Sequence, residues 1–380
     1  MSELPLFEDV AKEEVLHPIY KMIRDGDYDP ERKVLLEWSD GFEDRDGKFC
    51  YEFQTSFEPC LWELYLHAVL KELQVTIDFS YSAPDFVVDA GEQFCMEATI
   101  SAPPKNGQPA HGYSLDPLPK DLNRFNQAAT IRLCNSFTSK VRKLRERYSK
   151  LPQCDKKPFV LAIASFDRPF SHMSAFRPVI SALYGLYHDE EQTIASGAQK
   201  TISYNVSQVM KNARAPIDLG YFCSPEYSDV SAVVFSSLAT WGKVRAVAEN
   251  SSAKTIYTTY HPNPGSLLPK VKRTAKSEYF EHLLDGLCVL HNPFAEYPLR
   301  PDTLSHARLA QGFLKPDGEL DFDAPDDFLL MRSLMSIKSQ KSGGGSDANQ
   351  RLHRTVFRRV APPNRPLSPI VSLIKNMGSI

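Results

Sequence analysis

Two carboxylates, Asp85 and Glu97, stand on either side of a turn in the stretch Pro84-Asp85-Phe86-Val87-Val88, Asp89-Ala90-Gly91-Glu92-Gln93, Phe94-Cys95-Met96-Glu97-Ala98-Thr99. A short apolar run, a turn cluster and a second apolar run predict a β-hairpin. If it is symmetric about Gly91, Val88 faces Phe94, Phe86 faces Met96, and Asp85 faces Glu97. Opposed side chains lie roughly 4.5 to 5.5 Å apart at Cβ, where like charges destabilise a sheet. A divalent cation between two hard oxygen ligands would compensate the pair, and Mg²⁺ takes only one or two protein carboxylates while keeping its waters. The bland alternative is an exposed hairpin whose polar face carries two acids. Alternation puts Phe94, Met96, Ala98 and Ile100 on one face and Cys95, Glu97 and Thr99 on the other.

The elements around this hairpin must position it. Residues 59–73 combine strong helix formers with no internal breaker, and apolar residues cover most of the circumference, which predicts a buried helix. Its one polar stripe is Glu63, His67, Lys71 and Gln74. A buried Glu63 requires a partner or a metal; a Glu63–His67 pair at a solvated edge is the alternative. A second helix is expected from about 121 to 150. Ile131, Cys134, Phe137, Val141 and Leu144 form its apolar stripe, and Arg132, Ser136 and Lys140 lie on another face. Its basic end, including Arg142 and Lys143, suits phosphate binding or a helix C-terminus equally well. Residues 158–166 are a continuous apolar run, predicting a buried central strand.

Buried helix with Glu63, then Pro84-Asp85-Phe86, a turn, and Glu97-Ala98-Thr99 together resemble the PD-(D/E)xK nuclease superfamily. The resemblance implies an α/β fold with a restriction-endonuclease-like core, a mixed central sheet flanked by helices. It also implies metal-dependent hydrolysis of phosphodiester bonds, with Mg²⁺ (or Mn²⁺) held by Glu63, Asp85, Glu97 and the carbonyl of Ala98. The departure is Thr99, where the superfamily pattern has lysine. Some members supply that lysine from a neighbouring helix; Lys140 is the first choice here and Lys71 the second, with Lys105 on a Pro/Gly-rich loop a poor place to fix a base. The implied partner is nucleic acid, DNA favoured over RNA, in bacterial restriction or anti-phage defence, as a homodimer or as a subunit of a defence complex. From a different class, the chain would be a nuclease-like binding or assembly subunit without catalysis.

Composition sets the remaining bounds. Of 380 residues, 42% are hydrophobic, enough for a sizeable core. Seven scattered cysteines without a C-x-x-C predict ordinary thiols. No apolar run reaches membrane-span length and the first residues carry no basic or apolar leader, so the expectation is a cytoplasmic protein without membrane contact. From Lys341 onward seven Lys/Arg stand against one Asp, leaving residues 1–340 at about −9 within a total of −3. An acidic body still accommodates a local basic groove. Lys243 and Arg245, after a predicted strand at 230–238, are further candidates for phosphate contact or ordinary strand-edge charges. Further elements are expected at 15–23 (a short helix), 179–187 (a helix closing at Gly185), 217–223 (a strand) and 279–286 (a helix followed by a turn). The expected organisation is an N-terminal extension (1–50), a nuclease-like α/β domain with C-terminal elaboration (51–335), its core at about 50–250, and a flexible basic tail (336–380). NTPase, hydrolase-triad and zincin motifs are absent.

Overall fold

A computed structural model describes residues 4–112, 119–212 and 214–336. Eight helices are described: α1 (Pro18–Asp25), α2 (Asp29–Ser39), α3 (Phe49–Thr55), α4 (Phe57–Glu72), α5 (Leu122–Glu146), α6 (Arg177–Tyr184), α7 (Glu190–Ser196) and α8 (Trp241–Val247). The central sheet runs β1 (Thr76–Ile77), β2 (Phe86–Asp89), β3 (Gln93–Ser101), β4 (Phe159–Ser165), β5 (Ala232–Ser236), β6 (Cys288–His291), β7 (Ala310–Leu314) and β8 (Leu320–Asp323), in that spatial order. The first three strands are antiparallel; β3, β4 and β5 are parallel, with α5 in the β3–β4 crossover. Beyond them β6 is antiparallel to β5, β7 parallel to β6, and β8 antiparallel to β7.

Strand alternation builds two cores, one on each face of the sheet. Phe86, Val88, Phe94, Met96, Ala98, Val160, Ala162 and Val234 pack with α4 and the N-terminal helices. Val87, Cys95, Leu161, Ile163, Val233 and Phe235 pack with Phe137, Val141 and Leu144 of α5 and with α6. Every residue of β4 is buried, as its unbroken apolar run predicts. Trp62 of α4 donates from Nε1 to the Ala162 carbonyl at 3.1 Å, fixing that helix over the central strand.

Several expectations need correction. Within the expected N-terminal extension, Leu6, Tyr20, Ile23, Leu35 and Trp38 belong to the same core as Phe94 and Met96. The central sheet also runs past residue 250, through β6, β7 and β8. The helix expected at 279–286 does not form. Carbonyls of His282 and Asp285 accept from Lys243 Nζ at 3.2 and 2.7 Å, so the segment spends its acceptors on a distant side chain and passes as turns into β6. The strand expected at 217–223 shortens to Ala215–Asp218. Residues 337–380, nearly all of the expected tail, lie outside the described residues; Ser336 itself ends a strand, Met331–Ser336, in a second, three-stranded sheet with Thr255–His261 and Lys270–Ala275. Among the described residues no helix is long and apolar enough to cross a membrane.

Candidate active site

The hairpin register follows the symmetry about Gly91: Phe86 faces Met96 and Val88 faces Phe94. Gly91 takes a left-handed φ of 78°, which glycine adopts without steric cost, and its amide donates to Asp89 Oδ1 at 3.0 Å. Strand pairing stops at Phe86, one residue short of the expected Asp85–Glu97 pair. Asp85 instead turns its Oδ2 to accept from the Ala98 amide at 2.7 Å. Like charges thus avoid direct opposition while both carboxylates stay at the same end of the hairpin.

Lysine arrives from α5. Arg132, Ser136 and Lys140, on one face of that helix, run along β3: Arg132 Nε donates to the Ala102 carbonyl at 2.8 Å, Ser136 Oγ to the Ile100 carbonyl at 3.0 Å, and Lys140 Nζ to Glu97 Oε1 at 2.6 Å. Lys143 Nζ reaches the same Oε1 at 2.9 Å. Glu97 is 1% exposed, and its Oε2 is buried with no hydrogen-bond partner. Lys71 is drawn away, to the carbonyl and carboxylate of Asp40 at 2.6 and 3.1 Å, and Lys105 is exposed on its loop.

Electrostatics join Glu63 to the pair. Burial, then the negative charges of Asp85 and Glu97, push the Glu63 carboxyl up to about 8. Burial and Glu97 likewise push Asp85 up to about 6, against the pull of Lys140 and the Ala98 amide. Burial also works to raise Glu97, but Lys140 and Lys143 outweigh it and hold that carboxyl below its ordinary value. The three acids therefore sense one another without being equivalent: Glu97 is the fixed anion, and Glu63 is the most readily protonated. The alternative Glu63–His67 pair does not form, since His67 Nδ1 bonds the Trp38 carbonyl at 2.7 Å.

Three residues without a recognisable sequence signal complete the surroundings. Arg45 donates to the carbonyls of Tyr81, Pro84 and Asp85 at 2.6, 3.0 and 3.0 Å, and Gln153 Nε2 to the Ala83 carbonyl at 2.7 Å. Together they fix the chain entering Asp85. Tyr148 is buried, with Lys143 Nζ 4.8 Å from its ring centroid; burial and the neighbouring Glu97 carboxylate push its hydroxyl up.

Among the expected phosphate contacts, Lys140, Arg142 and Lys143 line one open concavity with Ser139, Glu146 and Arg147. Three others do not belong to it. The Arg132 guanidinium is committed to the Ala102 and Pro103 carbonyls. Lys243 is fully buried and ion-paired with Glu281, because helix α8, capped by Thr240, turns it inward. Arg245 bonds Thr255 Oγ1 and Ser336 Oγ, both at 2.8 Å, tying α8 to the second sheet.

No protein-family model, curated protein or solved structure matches this chain significantly.

Proposed function

We propose that the chain is a metal-dependent nuclease with a restriction-endonuclease-like core, hydrolysing phosphodiester bonds of nucleic acid, DNA before RNA. The observation that carries this reading is Lys140 Nζ on Glu97 Oε1 at 2.6 Å: a helix supplies the cation that position 99 lacks, beside two further acids. The order α4, β1–β2–β3 antiparallel, α5, and β4 parallel to β3 supports the fold assignment.

Residues present fit a small hard cation. Asp85 and Glu97 offer carboxylate oxygens, Glu97 Oε2 is a buried acceptor without a donor, and Mg²⁺ or Mn²⁺ needs only one or two such ligands beside water. Glu63 feels the charge of both other acids, although the ligand oxygens of the three do not gather within 4.8 Å of one another, and the Ala98 amide donates a hydrogen bond to Asp85 Oδ2 at 2.7 Å. When bound, the cation polarises the phosphate and lowers the pKa of a coordinated water. The chain's own residues do the rest. Lys140 and Lys143 present positive charge where the phosphorane develops negative charge. Arg142, exposed beside them, holds the backbone without reading sequence. Bacterial restriction or anti-phage defence, in a homodimer or with a partner subunit, is the setting implied by the resemblance to the PD-(D/E)xK superfamily.

A second reading, a nucleic-acid-binding or assembly subunit without hydrolysis, draws on the lysines sharing Glu97 Oε1, which compensate its charge without a metal. Incubating wild type and Asp85→Ala with single- and double-stranded DNA and RNA in Mg²⁺ or Mn²⁺ separates the two. Metal-dependent cleavage lost in Asp85→Ala is expected; binding without cleavage by wild type selects the second reading, and neither binding nor cleavage removes both.

A further inference from the structure

Away from the acidic hairpin, two imidazoles and a carboxylate converge from three separate elements. His17 precedes α1, Glu58 lies in the first turn of α4, and His111 sits in the loop that leaves β3. Glu58 spreads its oxygens between them, Oε1 2.6 Å from His111 Nδ1 and Oε2 3.2 Å from His17 Nε2. The two rings lie 4.3 Å apart at 70°, and all three can offer ligand atoms within 4.8 Å of one another. Each side chain is between 10 and 17% exposed, so the cluster is sheltered but reachable.

We propose that His17, Glu58 and His111 form a Zn²⁺ site, with His17 Nε2, a Glu58 oxygen and His111 Nδ1 as ligands and a water in the fourth position. Imidazole nitrogen with one carboxylate is a borderline-soft donor set that selects Zn²⁺ over Mg²⁺ or Ca²⁺. Ligands about 2.0 to 2.1 Å from a tetrahedral ion stand about 3.3 Å from one another. The separations of 2.6 and 3.2 Å, one to each Glu58 oxygen, lie close to that value and all three ligand atoms fall within 4.8 Å, so a modest shift of the Glu58 carboxylate admits the ion. The scaffold is already in place: the His17 amide donates to the Gln54 carbonyl at 2.8 Å, and its ring stacks on Phe57 at 5.9 Å. Coordination through Nδ1 leaves the His111 proton on Nε2. Coordination through Nε2 moves the His17 proton to Nδ1 and gives up the bond from the Ile19 amide that caps α1, at 3.3 Å the long end of hydrogen-bond geometry.

Glu72, His282 and His306 form the other such group among the described residues, and it is a poorer site. Both of its imidazoles accept backbone amides at Nδ1, from Leu284 at 3.2 Å and Arg308 at 3.1 Å, so both would have to give up such a bond to free Nε2, where in the first site only His17 does. Its carboxylate is also exposed. A filled His17–Glu58–His111 site would clamp the loop leaving β3 onto α1 and α4, independently of whether the acidic site cleaves nucleic acid.

The test uses the full chain, stripped with chelator and dialysed against Zn²⁺, with bound metal counted by mass spectrometry and Tm recorded. Wild type is expected to take up one Zn²⁺ per chain with a rise in Tm, both lost in His111→Ala and kept in His282→Ala and Asp85→Ala. Co²⁺ in place of Zn²⁺ should give the visible bands of a four-coordinate ion in wild type and not in His111→Ala. His111 is the residue to change first, because His17 also caps α1 and its loss could misfold the chain. No uptake by wild type, uptake unchanged in His111→Ala, or loss of uptake in Asp85→Ala would each overturn the assignment.

Discussion

Two groups of buried charge differ in how completely they are satisfied. Around Glu281, Lys243 and Arg332 both pair with Oε1, Tyr279 donates to Oε2 at 2.5 Å, Lys243 also holds two backbone carbonyls, and Arg332 holds the Leu238 carbonyl at 2.9 Å. Around Glu97, two lysines share one oxygen while the other has no partner, and the neighbouring acids are pushed up instead of down. The first arrangement closes on itself and fastens α8 and the second sheet to the body. The second keeps capacity for something from outside, which is what a site requires and a structural cluster avoids.

That contrast can be broken most forcefully at Glu281. Its replacement by Ala strands two cations in the interior and should cost about 3–5 kcal/mol in denaturant unfolding. Under the proposed function, Lys140→Ala should instead lower the hydrolysis rate about 10²- to 10³-fold, as loss of a transition-state donor does. Its stability should change little, because Lys143 still pairs with Glu97; the double Lys140→Ala, Lys143→Ala variant should be clearly destabilised. If the single variant unfolds like Glu281→Ala, the two clusters are alike and the contrast fails.

Acidity sharpens the comparison next. Glu63 and Asp85 have folded values raised to about 8 and 6, so the folded chain holds more protons than the unfolded one above the ordinary carboxylate range. Their contribution to stability therefore falls as pH rises from about 4 toward 8. Metal-free Tm should carry this downward slope, Glu63→Gln should flatten it, and added Mg²⁺ should offset it at pH 8. Glu281, held below its ordinary value, contributes the opposite slope, present above that value and lost in acid. The smallest effect belongs to Arg142→Ala: DNA binding should weaken with a salt slope reduced by about 1, and stability should move by less than about 0.5 kcal/mol.

Local pattern carried much of this architecture into the sequence. The α4 helix, the hairpin with its register, α5 and β4 were legible because each has an apolar period or run bounded by turn residues. Lys140 was legible through its place on the α5 face with Arg132 and Ser136 together with the resemblance, which implies a lysine from a neighbouring helix. Lys243 and Arg245 read as surface charges because their partners, Glu281, Thr255 and Ser336, lie roughly 10 to 90 residues away and pairing at that range leaves no local trace. Arg45 illustrates the same limit, as an isolated charge whose three carbonyl acceptors are set by the tertiary fold.

The row of Arg132, Ser136 and Lys140 along β3 works as a gauge. Four helical residues advance about 6 Å and two strand residues about 6.6 to 6.8 Å, so side chains spaced by four on α5 nearly keep step with the chain of β3, meeting it at Ala102, Ile100 and, three residues further, Glu97. Arg132 and Ser136 set the register on the Ala102 and Ile100 carbonyls, and Lys140 falls on Glu97 as a result. The chain should accordingly tolerate many substitutions on this helix but not a change in its length: one residue inserted between Ser136 and Lys140 turns the lysine by about 100° and takes it off the carboxylate.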